Sequence, residues 1–205
     1  MTAAPLTPAI AEKLALLYRE METGYDQAAA KIGLTCRGCP DNCCDSYFLH
    51  YTFIEWAYLW RGLGKLAPAP LETAMARARL CLDHYREAVE AGAWPKIMCP
   101  LNQDGLCMLY LYRPMICRCH GVPARLRRPD GKTSHFPGCF RCQELTARPG
   151  LVAGMDRTPL SRRLARLEEE FLGGWFSLSA KMPKMKMTLA AMLLAGPPEF
   201  PWECP

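Results

Sequence analysis

Apolar residues recur at three- and four-residue steps near the start of the chain, at Ile10, Leu14, Leu17, Tyr18, Met21 and Tyr25. That is the spacing of one helix face, and it predicts an amphipathic first helix ending near Gly33. Thr52-Phe-Ile-Glu55 reads as a capping box, its hydroxyl and carboxylate satisfying each other's exposed amides, at the head of a second helix that runs to Gly62 or Gly64. Pro68-Ala-Pro70 opens a third helix, whose stripe of Leu71, Met75, Ala78, Leu82, Tyr85 and Val89 stops at Gly92 and Pro95. Thr158-Pro159 starts a fourth, with Leu160, Leu164, Leu167 and Phe171 as its stripe before Gly173-Gly174. A short helix from about Thr188 to Ala195 leads into a proline-rich tail.

Between the third and fourth helices the periodicity fails. From Met98 to Arg148, turns are marked at Asp104-Gly105, Arg128-Pro-Asp-Gly131 and Pro137-Gly138, and no long regular element is visible. Such a stretch is uncommon inside a compact domain unless something orders it, and a bound metal would. The 205 residues suit one well-cored domain, and no repeat, low-complexity tract or linker divides them. The expected fold is therefore mainly α: a single small helical domain over residues 1–205. Its cysteine-rich region, residues 36–142, is an irregular, metal-organised loop region framed by N- and C-terminal helices.

Composition changes the picture in one respect. Half the residues are hydrophobic and 22% are charged, both ordinary, but 12 are cysteine. Disulfides in a secreted chain would be the plain explanation. The N-terminal residues, however, lack a basic n-region, and Glu12, Lys13, Arg19 and Glu20 break up the stretch after them. The apolar run from Leu189 to Gly196 is far short of the roughly 20 residues a membrane span needs. The expectation is a cytoplasmic protein with no membrane partner. There thiols stay reduced, which favours metal binding or redox chemistry over crosslinks.

Seven cysteines form two groups, Cys36-x2-Cys39-x3-Cys43-Cys44 and Cys99-x7-Cys107-x9-Cys117. Two thiolates separated by two residues converge on one ion because the turn between them brings both sulfurs to one side, and sulfur shells suit zinc or an iron–sulfur cluster. The second group, about sixty positions on, would complete the shell. These segments, Cys36-Arg-Gly-Cys39-Pro-Asp-Asn-Cys43-Cys44, Cys99-Pro-Leu, Asp104-Gly-Leu-Cys107-Met-Leu-Tyr110 and Arg113-Pro114-x2-Cys117-Arg118, resemble the bacterial YkgJ-type cysteine-cluster family. That family is described as a zinc- or iron-chelating domain, and the likeness spans about residues 36 to 142. The resemblance implies Cys36, Cys39, Cys43, Cys44, Cys99, Cys107 and Cys117 as ligands, with either Cys139 or Cys142 as the eighth.

Adjacent side chains of an extended segment point to opposite faces, so Cys43 and Cys44 serve one ion only if the backbone bends sharply. Either they serve different centres or one is a core thiol. Eight candidate thiolates also exceed the four that one tetrahedral ion or one ordinary cluster takes, so two centres, or one with spare thiols, both satisfy the count. The spacing matches neither the bacterial ferredoxin run nor a two-CxxC zinc ribbon, and no histidine stands at finger spacing. The balance leans to an iron–sulfur cluster, of the 4Fe–4S type, with zinc as the alternative.

The other candidates have duller readings. Cys81 belongs to the third helix as a buried thiol, Cys204 lies in the tail, and Cys119 and His120 stand close enough to Cys117 to be secondary candidates. His50, His84 and His135 are isolated and are given no role. Met182, Met185 and Met187 alternate with lysines, as a solvated strand or loop with one apolar face does. Between Arg113 and Arg148 there are eight basic residues against two acidic ones, Asp130 and Glu144. Such a concentration stabilises thiolate-bound metal, which is net negative, and Tyr110, Arg113 and Arg118 are placed to bond sulfur or pack over the centre.

Three function classes fit these features. The first is a metal or cluster protein with a structural or electron-transfer role. The second is an enzyme like the flagellin lysine N-methylases that some larger relatives resemble, using S-adenosylmethionine, although no Gly-x-Gly nucleotide loop and no plain acid/base pair is present. The third is a zinc-stabilised module for protein or nucleic acid, resting on the Arg125-Leu-Arg-Arg128 patch.

Overall fold

The structure, a computed structural model, describes residues 2–3, 6–37, 43–147, 154–173 and 184–200. Cys39, Arg148, Gly174, Lys181, Met182 and Cys204 lie outside the described residues. The protein is mainly helical, as the periodicity predicts. Its helices are α1 (Pro8–Ile32), α2 (Phe53–Leu63), α3 (Pro68–Glu90), α4 (Met115–Cys119), α5 (Phe140–Thr146), α6 (Thr158–Gly173) and α7 (Leu189–Leu194). Short strands complete it: β1 (Thr2–Ala3), β2 (Asn102–Gln103), β3 (Leu106–Cys107), β4 (Ala124–Arg127), β5 (Thr133–Phe136), β6 (Met155–Asp156) and β7 (Glu199–Phe200). No described helix is long and apolar enough to cross a membrane.

The chain divides into two compact units, whose boundaries fall within α1, between Cys43 and Cys44, between Pro114 and Met115, and within α6. The first comprises Met1–Ala11, Cys44–Pro114 and Glu168–Pro205. Its core gathers Trp56, Leu59 and Leu63 from α2, Ala74, Ala78 and Cys81 from α3, and Ala190, Met192 and Leu193 from α7. The indole N–H of Trp60 donates to the Met192 carbonyl at 2.9 Å, and that of Trp56 to the Met192 and Gly196 carbonyls at 3.0 and 2.8 Å. These bonds close the end of α7, whose last carbonyls have no partner of their own within the helix. The predicted stripe of α3 is rotated: Ala74, Ala78 and Cys81 are its buried centre, Leu71, Met75, Leu82 and Tyr85 flank it, and Val89 is 57% exposed. Small side chains at the centre let the helices approach closely, and the larger residues fill the sides.

The capping box at Thr52 is not what starts α2. Thr52 Oγ1 donates to Glu55 Oε2 at 2.8 Å, and its side chain accepts no amide. The amides of Phe53 and Ile54 donate instead to Glu168 Oε1 and Oε2 on α6, at 2.7 and 2.8 Å. A carboxylate with two free oxygens captures two amides at a positive helix end better than a hydroxyl already turned toward Glu55. The Lys184–Met187 segment does alternate as predicted, Lys184 and Lys186 exposed and Met185 buried.

The second unit comprises Glu12–Cys43 and Met115–Leu167. Leu14, Leu17, Tyr18 and Met21 of α1 are buried, and Gly24 leaves room for Met155 of β6, whose Cε lies 3.1 Å from where a Cβ would stand. Most of the stretch expected to be irregular is here, and it contains a three-stranded sheet of order β5-β4-β6. Strands β4 and β5 pair antiparallel from Ala124↔Phe136 to Arg127↔Thr133 around the predicted Arg128–Gly131 turn, and β6 pairs parallel to β4. Four-residue strands, one with Arg at alternate positions and the other reading Thr-Ser-His-Phe, carry too few apolar residues to stand out by periodicity.

Candidate metal centre

In the first unit, three candidate thiols are set by one run of backbone bonds. Cys44 lies in a single 3-10 turn, Cys43–Asp45. Its carbonyl accepts the Cys99 amide at 2.8 Å, the Asp45 carbonyl accepts the Ile97 amide at 3.1 Å, and Ser46 bridges Lys96. The Cys99 carbonyl in turn accepts the Asn102 amide at 2.9 Å, and Asn102 pairs with Cys107 across the β2–β3 hairpin. Asp104 and Gly105, both with positive φ (53° and 85°), form the two-residue turn, and Asn102 Oδ1 accepts the Gly105 amide at 3.1 Å. Asp-Gly is the pair a type I′ hairpin demands. Sequence segments more than fifty residues apart thus bring Cys44, Cys99 and Cys107 into one neighbourhood.

The electrostatics agree. Burial pushes the Cys99 thiol up to about 12 against a backbone hydrogen bond from Leu101 that lowers it, and the charges of Cys107, Cys44 and Cys81 add to the rise. Cys99 therefore keeps its proton at neutral pH; a metal ion bound there would supply the positive charge that removes it. Cys81, assigned by sequence to the core, is buried, and its thiol lies 3.8 Å from the Met98 carbonyl.

The second unit gathers another group around Tyr25 of α1. The Tyr25 hydroxyl shares a hydrogen bond with Cys36 Sγ at 3.6 Å. Gly121 makes this possible, because a Cβ there would stand 2.7 Å from the hydroxyl oxygen, and its φ of +115° suits glycine. The Gly121 carbonyl accepts the Cys139 amide at 3.1 Å, and a Cβ on Gly138 would meet Cys142 Sγ at 2.8 Å. Burial raises the Tyr25 pKa, the bond to Cys36 adds to this, and the thiols of Cys36, Cys139 and Cys43 act in the same direction. Burial also raises Cys142, reinforced by Cys139. Both final-cysteine candidates therefore belong to this unit: Cys139 at the head of α5 and Cys142 buried within it. Cys117 and the buried Cys119 lie on α4 of the same unit.

The arginines are engaged. Arg118, 4% exposed, pairs with Glu22 and lies over the Tyr18 ring at 4.0 Å. Arg113 lies 3.5 Å over Tyr110 and donates to its carbonyl at 3.0 Å. On the basic hairpin, Arg125 pairs with Asp156 and Arg128 with Asp130, which reduces the charge available to an anionic partner.

The donor set has the chemistry a soft metal takes: the ten described cysteines form no disulfide, and each unit holds several of them. Among the described residues no three Cys, His, Asp or Glu side chains already stand in a coordinating arrangement. Coordination would therefore require side-chain rearrangement, as expected where binding and site formation are one event. Sequence reasoning missed Tyr25, taken as the last apolar position of its stripe; the one clue was a hydroxyl where Leu or Phe would serve packing equally well. Comparison with known proteins adds no relative: no family model matches the chain, and no curated protein or solved structure is significantly similar to it.

Proposed function

We propose that the chain is a cysteine-cluster metal protein of the YkgJ type, holding an iron–sulfur cluster, or zinc in its place, through clustered thiolates, with a structural or electron-transfer role in a reducing compartment such as the cytoplasm. One observation supports the reading above others: the backbone of Cys44, in the first cysteine segment, accepts the Cys99 amide of the second, and the hairpin that follows Cys99 carries Cys107. Cysteines from remote segments that form no disulfide, joined through the backbone at Cys44 and Cys99, fit a ligand set better than a set of packing residues. A bound cluster would supply a one-electron couple, and zinc would supply crosslinking of the loops. The exposed Leu106 (74%) and Leu111 (70%) on either side of Cys107 offer a protein partner an apolar contact.

Protein purified without oxygen decides between the metals. Iron–sulfur protein is brown with broad visible absorption; zinc protein is colourless but carries zinc by elemental analysis. A chain that retains neither iron nor zinc when prepared anaerobically and reduced overturns the proposal.

A further inference from the structure

We infer that Cys139 and Cys142 form a redox-active dithiol, which reduces a small-molecule disulfide and is itself closed into a Cys139–Cys142 disulfide. The inference goes beyond the metal-binding reading and needs no metal; it takes the two thiols between which that reading divides its eighth ligand.

Cys139-Phe-Arg-Cys142 has the Cys-x-x-Cys spacing of dithiol redox motifs, and α5 gives it a matching geometry. Cys139 is the N-cap of that helix and its carbonyl accepts the Gln143 amide at 3.0 Å, so the two cysteines share the first helical turn. Helix rise and radius put such α-carbons about 5 Å apart, inside the range a disulfide spans without backbone movement. Cys142 is also aimed correctly. A Cβ on Gly138 would stand 2.8 Å from Cys142 Sγ, so the sulfur is turned back along the helix toward the residue that precedes Cys139. Gly138 admits it by lacking a side chain, and its φ of +84° suits glycine as well. Hydrogen bonds hold the turn on both sides: the Cys139 amide donates to the Gly121 carbonyl at 3.1 Å, and the Gln143 side chain donates to the Gly138 carbonyl at 3.0 Å.

Two features separate this pair from packing thiols. An N-cap favours Ser, Thr, Asp or Asn, whose side-chain oxygen accepts an amide; Cys139 makes no such bond, so capping does not explain it. The two sulfurs also differ in access, Cys139 being half-buried and Cys142 fully buried. The outer thiol can meet a substrate, and the inner one reaches the outer one without leaving the core. Thiol–disulfide exchange uses that division of labour. The Cys139 thiolate attacks one sulfur of the substrate disulfide, whose S–S bond breaks and whose leaving thiolate takes up the proton that Cys139 lost. The Cys142 thiolate then attacks Cys139 Sγ and breaks the mixed disulfide, and its proton goes to the second leaving thiolate. Two electrons pass from the cysteines to the substrate, which departs as two thiols, and a thiol reductant reverses the sequence.

The test equilibrates the full chain, purified anaerobically and reduced, with glutathione buffers of increasing oxidised fraction, then quenches in acid and alkylates the remaining thiols. Trypsin cuts after Arg141, so Cys139 and Cys142 fall into separate peptides that only a disulfide joins, and the join is read by mass. The joined pair should appear before any other crosslink. Cys142→Ser should accumulate glutathione on Cys139, while Cys139→Ser should leave Cys142 unmodified in the same buffer. A wild-type Cys139 that pairs first with another cysteine, or a pair that stays reduced at every ratio, overturns the inference, and neither result needs a variant to fold. Equal uptake of glutathione by Cys142 in Cys139→Ser and by Cys139 in Cys142→Ser overturns it as well. Metal analysis of the same preparation keeps the two readings apart: a metal-free chain that closes this disulfide removes the metal-binding reading alone, and a metal-bearing chain whose pair stays reduced removes the inference alone.

Discussion

A hydroxyl 3.6 Å from a cysteine sulfur, admitted by a glycine that could not be alanine without displacing it, is a costly arrangement if it only fills space. Phenylalanine at residue 25 would bury the same ring without a polar atom. Under the proposed function, Tyr25 would donate to the Cys36 sulfur and so hold it in a ligating position. Tyr25→Phe should therefore weaken metal retention by about tenfold to a hundredfold, read by competition with a chromophoric chelator, while thermal unfolding of the metal-free chain changes little. Equal retention by the variant would reduce Tyr25 to packing. A second residue sets the acid limit. His50 is 3% exposed, its Nε2 finds no hydrogen-bond partner among the described residues, and burial lowers its pKa from 6.5 to about 4. The folded chain keeps the ring neutral, whereas the unfolded chain protonates it near 6.5. Proton uptake thus favours unfolding as pH falls through this window: stability present above 6.5 is lost toward 4, by about 3 kcal/mol at the lower end. His50→Leu should flatten the dependence of the urea midpoint between pH 6.5 and 4; an unchanged slope would assign the acid lability to other groups.

At the scale of elements, Glu168 is the residue on which the start of α2 depends. It caps two amides from a position 115 residues away in sequence, so Glu168→Ala should destabilise the first unit by about 1–2 kcal/mol, whereas Thr52→Ala should cost clearly less. Urea unfolding of both variants checks the order, and a larger loss at Thr52 would restore the capping box. The same contrast explains what the sequence made legible. Helices α1, α3, α6 and α7 announce themselves because each repeats an apolar face over several turns or carries a local start or stop signal, such as Thr188, whose hydroxyl accepts the Ala191 amide at 3.2 Å. The cap on α2 is invisible because it comes from another helix. Strands β4 and β5 escape notice for a different reason: Ala124 and Leu126 alternate with Arg125 and Arg127, but two apolar residues make no pattern, and only the intervening Pro-Asp-Gly turn hinted at the hairpin.

Across the whole molecule, the cysteine groups from which the candidate site is built were legible and their placement was not. Thiol spacing carries the first because ligand type is a property of side chains, while which sulfurs share a neighbourhood depends on the Cys44–Cys99 backbone bond and on Gly121, both long-range. Under the proposed metal-binding function, with cysteines present in both compact units, metal would stabilise whichever unit holds it. Loss of metal from one unit should then loosen one part of the chain and leave the other closed, because a free-energy loss of about 1.4 kcal/mol raises the local opening population about tenfold. In metal-loaded Cys139→Ser, amides of β4 and β5 should exchange with deuterium about ten times faster or more, while those of α2 and α7 keep wild-type rates. In Cys107→Ser the order should reverse, the β2–β3 hairpin and the Cys99 amide opening while β4 and β5 stay protected. The helices that cross a boundary, α1 and α6, serve as the control: uniform deprotection of both, together with every strand, in either variant would mean that metal stabilises a single cooperative body.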